Sequence, residues 1–222
     1  MKQIYLLLGI IIIFQSCDNC EKEAYSGKLK VKVLTLDKAP VTDVYIHLYD
    51  EEYKSLYYYI TDNEGTVDFG DLLQGSYLVY PERPMINGMV YQPSVRVQVI
   101  NGKENAVEVF PENYVGNAEI VIKHDNGVDR TPWENLNIIL LRAQEVGHSD
   151  DLNYYIENAM YKTKLDSTGK ITLNKLPSDI NYLMIAYTDE NSLFKRIYSF
   201  SVNTGWDFYE TIILDDDLTR II

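Results

Sequence analysis

Cysteine is almost missing from this chain: Cys17 and Cys20 are the only two, both ahead of any strand-like segment, so no disulfide can staple the folded body. Histidine is nearly as scarce. His47, His124 and His148 lie far apart and in no H-x-x-E or H-E-x-x-H context, which leaves a zinc site without converging ligands. No G-x-S-x-G, P-loop or dinucleotide fingerprint occurs, so nothing in the sequence implies catalysis or a cofactor. Basic residues are in deficit. Twenty Lys and Arg against 33 Asp and Glu give a net charge of −13, one unit more negative if a leader carrying only Lys2 is removed. Such a surface repels nucleic acid and anionic headgroups, and both are excluded as partners. The apolar run from Ile4 to Phe14 falls short of the ~20 residues a membrane helix needs. What the chain has in abundance is tyrosine, 19 residues, a strand former that also serves binding surfaces. Its 222 residues accommodate two domains, each with a modest core.

The first residues read as a secretory leader: a basic Lys2, the apolar run, then Gln15-Ser16-Cys17. A small residue before Cys at the end of such a run resembles a bacterial lipobox. The resemblance implies cleavage before Cys17 and acylation of its thiol, with residues 1–16 as signal peptide and 17–26 as tether. Phe14 and Gln15 depart from the usual Leu-Ala lead-in, and the alternative is an ordinary secreted protein cut nearby. Asp18, Glu21, Lys22 and Glu23 resemble the acidic surface-export tether of some Gram-negative lipoproteins, and equally make a plain charged linker. With lipid on Cys17, Cys20 has no partner. A redox pair in Cys17-Asp18-Asn19-Cys20 lacks the strand-to-helix context that lowers a thiol pKa.

Thr61 to Val79 organises the rest. Asp62-Asn63-Glu64-Gly65 is turn chemistry, Val67 and Phe69 alternate as on a half-buried strand, and Leu72 plugs the next corner. Gly75 is expected to take a backbone geometry that a Cβ disfavours, after which Tyr77 and Val79 face one way and Ser76, Leu78 and Tyr80 the other. Asp166, Gly169, Leu173, Leu176 and Tyr182 repeat Asp62, Gly65, Phe69, Leu72 and Tyr77, with one extra residue before the last Tyr. A repeat of about 100 residues is domain-sized. Leu29, Val31 and Val33 form the inward face of a first strand, Val44, Ile46 and Leu48 of a second, with His47 outward. Tyr57, Tyr58 and Tyr59 lie in a third strand ending at Thr61. Pro81 to Gly88 reads as a loop; Val95, Val97 and Val99, then Val107 and Val109, complete seven short strands. Pro111 to Asn117 is the seam between residues 27–112 and 113–222. Beyond it come Ile120 and Ile122, a pause at Asp125-Asn126-Gly127, then Leu136, Ile138 and Leu140. Arg142 to Met160 is long and polar, with a short helix near Asp151 to Asn158, and loops of that length are commonly functional. Leu193 to Val202 and Glu210 to Leu214 end the second set before Asp215-Asp216-Asp217.

The run T-D-x-x-G-x-V-x-F-x-x-L-x-x-G-x-Y at Thr61 to Tyr77 resembles the transthyretin-like or prealbumin-like sandwiches, including carboxypeptidase regulatory-like and collagen-binding B-type modules. The second copy is looser, because Asp179-Ile180-Asn181 stands where Gly75 and Ser76 would be. The resemblance implies an all-β chain of two tandem seven-stranded antiparallel sandwiches after a lipoprotein signal peptide; it marks a fold and no chemistry. Some collagen-binding B-type modules form a Lys–Asn or Lys–Asp isopeptide assisted by a Glu. Lys28, Lys30 or Lys32 could donate, but Pro81 and Ala186 occupy the Glu position, and Glu82 faces the wrong way by alternation. Transthyretin-related hydrolases carry paired His and a Tyr-Arg-Gly-Ser ending, whereas this chain ends Leu218-Thr219-Arg220-Ile221-Ile222. An acidic tail such as Asp215-Asp216-Asp217 is usually solvated rather than a calcium site. The expectation is therefore a non-catalytic lipid-anchored binding or structural protein, anchored in the outer membrane and facing the exterior. A fimbrial or adhesion accessory fits, since fimbrillin-type lipoproteins resemble this plan; the alternative is a glycan-capture lipoprotein of an uptake system. Its partners would be the membrane, through lipid on Cys17, and a protein or glycan met by aromatic rings. Candidate rings are Tyr154 and Tyr155 in the long segment, Trp133, Trp206 and Tyr58.

Overall fold

Alternation in short apolar strands closed by Asx and glycine turns builds an all-β molecule. A computed structural model describes residues 25–125, 130–188 and 194–215. Cys17, Cys20, Asn126, Gly127, Asp216 and Asp217 lie outside the described residues, so the lipidation, tether and most of the acidic-tail expectations fall there too.

The first half holds β1 (Ser26–Val33), β2 (Tyr45–Tyr49), β3 (Ser55–Ile60), β4 (Thr66–Leu73), β5 (Gly75–Pro81), β6 (Met85–Ile86), β7 (Met89–Val90), β8 (Val95–Val99) and β9 (Glu104–Val109). They form a sheet β4-β1-β9, a sheet β3-β2-β5-β8 and the small hairpin β6-β7. The second half holds β10 (Val115–His124), β11 (Asn137–Arg142), the helix α1 (Leu152–Glu157), β12 (Tyr161–Lys164), β13 (Lys170–Pro177), β14 (Asn181–Tyr187), β15 (Phe194–Ser201) and β16 (Asp207–Leu214). Its sheets are β13-β10-β16 and β12-β11-β14-β15, the same strand order again. One pairing in each half departs from antiparallel: β1 runs parallel to β9, and β10 parallel to β16. The first and last strands of each half therefore travel the same way. β1 ends beside the end of β9, and a short 3-10 turn at Pro111–Asn113 leads straight into β10. Ser26 thus starts at the end of the first half remote from the junction.

Leu29, Val31, Val33, Ile46 and Leu48 are all buried, as alternation requires, with Val67, Phe69, Leu72, Tyr77 and Val79 closing the same core. The second core draws on Ile120, Ile122, Ile138, Leu140, Leu173, Tyr182 and Met184. Both copies of the repeated turn are built alike. The backbone N–H of Gly65 donates to Asp62 O at 2.9 Å, and that of Gly169 to Asp166 O at 3.1 Å; both glycines sit at positive φ. A Cβ on Gly65 would lie 2.5 Å from Val33 O, and one on Gly169 2.5 Å from Ile122 O. Tyr77 Oη donates to Leu73 O at 2.8 Å and Tyr182 Oη to Pro177 O at 2.6 Å, so each corner tyrosine ties its own strand to the preceding turn. Burial pushes both hydroxyls above the ordinary tyrosine range, which keeps them protonated donors.

Two expectations need correction. Gly75 is an extended residue of β5 with an ordinary φ, and a Cβ there would meet only Tyr77 at 3.8 Å; the left-handed positions of this stretch are Gly65 and Gly70. Pro81 to Gly88 is not all loop, since it contributes β6 and turns at Asn87 and Gly88 into β7.

Candidate functional site

A sheet of four strands has two faces, and in each half one face belongs to the sandwich core. The fate of the other differs. In the second half β11 and β14 are apolar in both phases, and Ile139, Leu141, Leu183 and Ile185 turn away from the main core into a second buried cluster. The segment 143–159 covers them. Asp151 caps α1 by accepting from Asn153 N at 2.9 Å, and Leu152, Tyr155 and Ile156 press the helix onto the sheet. Tyr155 is 0% exposed, and its hydroxyl both donates to Ser149 O at 2.9 Å and accepts from Ser149 N at 2.8 Å. Arg142 to Met160 is therefore a roof on the sheet. The expectation that Tyr155 offers its ring to a ligand is corrected, because that ring is the keystone of the cluster. Tyr154 is half-buried beside it, its ring 5.3 Å away at 71°, with its hydroxyl accepting from Gly147 N at 3.0 Å.

The first half has no such segment. Strand pairing sets His47 opposite Tyr80 and Tyr49 opposite Leu78, the positions that Ile139, Ile185, Leu141 and Leu183 fill in the second half. Here three of those four positions carry aromatic rings, and all four are half-buried with no segment folded over them. Tyr45 is 44% and Tyr58 64% exposed. The His47 ring lies 5.9 Å from Tyr58, 6.2 Å from Tyr49 and 6.1 Å from Tyr80, and Tyr58 lies 6.2 Å from Tyr45. His47 Nε2 is 2.9 Å from Glu82 Oε2, which fixes the ring. At the other end of the face Arg96 donates to Tyr53 Oη at 2.5 Å and stacks 5.5 Å from its ring. Burial, then the Glu82 carboxylate, pushes the Tyr80 hydroxyl above its usual range, so it stays a donor. The result is a field of rings and hydroxyls with one His–Glu pair and one Arg, suited to recognition by apolar contact and hydrogen bonding.

Sequence reasoning places His47 and Tyr80 outward but singles out only Tyr58 of this group as a binding residue. Tyr45, His47, Tyr49 and Tyr80 were detectable as the outward positions of two strands whose inward positions are Ile46, Leu48 and Val79. Tyr57 and Tyr59 take the opposite face of β3, as alternation requires, but the strand is an edge and both rings stay exposed. They stack 6.3 Å apart, with Tyr59 resting 5.5 Å from Phe69. Trp133 is half-buried against the second core, 4.6 Å from the His124 ring. Trp206 is 71% exposed in the turn before β16. These two belong to neither the aromatic face nor the α1 cluster. The lysines of β1 turn away from the core, Lys30 pairing with Asp68 at 3.5 Å. Among the described residues no three His, Cys, Asp or Glu side chains form a group that could hold a metal ion.

No protein-family model matches the sequence, and no curated protein matches it. Solved structures do align. The minor pilin of the Gram-positive pathogen Streptococcus agalactiae covers 88% of this chain and 97% of its own at 13% identity, with a TM-score of 0.44. The streptococcal ancillary pilin covers 87% and 63% at 14% identity and 0.39. The Bacillus anthracis TIE protein covers 88% of this chain at 16% identity and 0.37, and this chain spans 34% of it. The likeness is one of β-sandwich fold alone.

Proposed function

We propose that the protein is a non-catalytic binding or structural component of the cell surface, an accessory of fimbriae or adhesion held to the outer membrane by lipid on Cys17. In this proposal residues 27–112 and 113–222 are tandem transthyretin-like sandwiches, and the first meets a protein partner through its aromatic face. The observation that carries it is the contrast between the halves: one sheet face is roofed by α1 and sealed with aliphatic side chains, and its counterpart is bare and lined by Tyr45, His47, Tyr49, Tyr58 and Tyr80. Bare aromatic patches of this kind mark interaction sites. Cells displaying the full chain should lose adhesion several-fold when Tyr45→Ser and Tyr80→Ser are combined, with surface display unchanged. Adhesion that survives the pair would discard the face as the binding site, and retention on a glycan array that the same pair removes would move the function to glycan capture.

A further inference from the structure

Among the described residues the two larger sheets of each half have four edge strands, β3, β8, β4 and β9 in the first and β12, β15, β13 and β16 in the second, the two-residue strands of β6-β7 being left aside. An edge presents unpaired N–H and C=O groups to any passing strand, and charged side chains are the usual deterrent. Seven of the eight carry one: Asp68 in β4, Arg96 in β8, Glu108 in β9, Lys162 in β12, Lys170 in β13, Lys195 in β15 and Glu210 in β16. The exception is β3. Ser55–Ile60 contains no charge and no proline, and Tyr57, Tyr58, Tyr59 and Ile60 are all exposed.

The strand also fits itself. Leu56-Tyr57-Tyr58-Tyr59-Ile60 reads almost the same in both directions about Tyr58. Thr61 N donates to Val44 O at 2.9 Å, on the β2 side, and alternation then turns the N–H and C=O of Tyr58 and Ile60 toward the open side. Two copies placed antiparallel about Tyr58 exchange hydrogen bonds there, with Tyr57 opposite Tyr59 and Leu56 opposite Ile60. The one irregularity of the β2–β3 pairing, between Leu48 and Tyr49, lies at the Ser55 end and leaves 57–60 regular. A net charge of −13 opposes self-association in general, yet along this strand no charge would meet its own copy.

We propose that β3 is a homotypic docking edge: two copies of the chain pair antiparallel about Tyr58, joining β3-β2-β5-β8 to its twin in one eight-stranded sheet. The symmetry is the self-complementary two-fold that most homodimers use. This edge borders the face proposed for partner binding and shares Tyr58 with it. Tyr45→Ser with Tyr80→Ser leaves β3 intact and tests adhesion alone, whereas crosslinking and sedimentation of the isolated protein test the edge with no partner present.

The experiment uses the full chain in detergent with Cys17→Ala and Cys20→Ala, a background that leaves no other thiol. Tyr58→Cys is introduced into it, and Tyr209→Cys, at a comparably exposed position, serves as control. The Cα atoms of a hydrogen-bonded antiparallel pair lie about 5.5 Å apart, within disulfide range. Mild oxidation should convert most of the Tyr58→Cys chain into a covalent dimer and little of the control. Sedimentation of the cysteine-free chain should show a reversible dimer, weakened by about tenfold or more in Tyr58→Lys, which sets like charges opposite each other. The crosslink reports the register whether or not the lysine variant folds well. A monomer at about 100 µM, equal crosslinking at both positions, or a dimer indifferent to Tyr58→Lys would overturn the proposal.

Discussion

Tyr154 and Tyr155 are neighbours in sequence that pack on the same cluster to different depths, Tyr155 wholly buried and Tyr154 half-buried, as the helical period sets. Leu152, Tyr155 and Ile156 stand at i, i+3 and i+4, the spacing of one helix face, and α1 lays that face on Ile139, Leu141, Leu183 and Ile185. The same residue type at Tyr45 stays wet because nothing is folded over it. Tyr155→Ala should therefore destabilise the protein by about 3–5 kcal/mol, the range for emptying a large buried aromatic site. Tyr155→Phe, which keeps the ring and gives up both hydrogen bonds to Ser149, should lose less, about 1–2 kcal/mol. Denaturant unfolding of the two variants checks both figures. Near-equal losses would mean that the hydroxyl, and not the ring, holds the roof down.

At the scale of elements, the repeated turn and corner are what the chain writes most plainly, and a pair of glycines separates geometry from mere recurrence. Gly65→Ala must hold a Cβ at φ +71 and 2.5 Å from Val33 O. A loss of more than about 2 kcal/mol is expected, since the left-handed conformation alone costs about 1–2 kcal/mol. Gly75→Ala places its methyl in ordinary van der Waals contact with Tyr77 on an extended strand and should be neutral or slightly stabilising, within about 1 kcal/mol. Thermal melts of the two variants side by side settle the point, and equal losses would refute it. Most strands were legible because one wet face and one dry face leave a period of two, as in Leu29, Val31 and Val33. The roof was harder to see, yet Ile138-Ile139-Leu140-Leu141 is apolar in both phases, the mark of a strand buried on both sides. Reading only Ile138 and Leu140 as inward leaves Ile139 and Leu141 without a cover, although the short helix expected near Asp151 to Asn158, present as α1, is what supplies it. The hairpin β6-β7 was missed for a smaller reason, since two residues on each side of Asn87-Gly88 are too few to show alternation, though that dipeptide is itself a hairpin signal.

For the whole molecule, the fully buried members of each main core come from one half only, residues 29–109 and 118–214. What crosses between them is limited: Tyr114 and Val115 pack on the edge of the first core, and Arg83 forms an ion pair with Glu145, which also pairs with Arg142. Exposed ion pairs of this kind stabilise by no more than about 1 kcal/mol. A fragment of residues 113–222 should therefore fold alone and melt cooperatively as a β protein by circular dichroism; a fragment that stays unfolded would make the halves one folding unit. The direction of β1 has a consequence of its own. Because the strand begins at the end remote from the junction, a chain acylated at Cys17 would stand with its first sandwich beside the bilayer, residues 17–26 reaching at most about 35 Å. The aromatic face and β3 would then look sideways along the membrane, toward molecules anchored in the same leaflet. Encounters confined to that plane take place at a raised effective concentration, so a contact too weak to persist in dilute solution could be substantially occupied there.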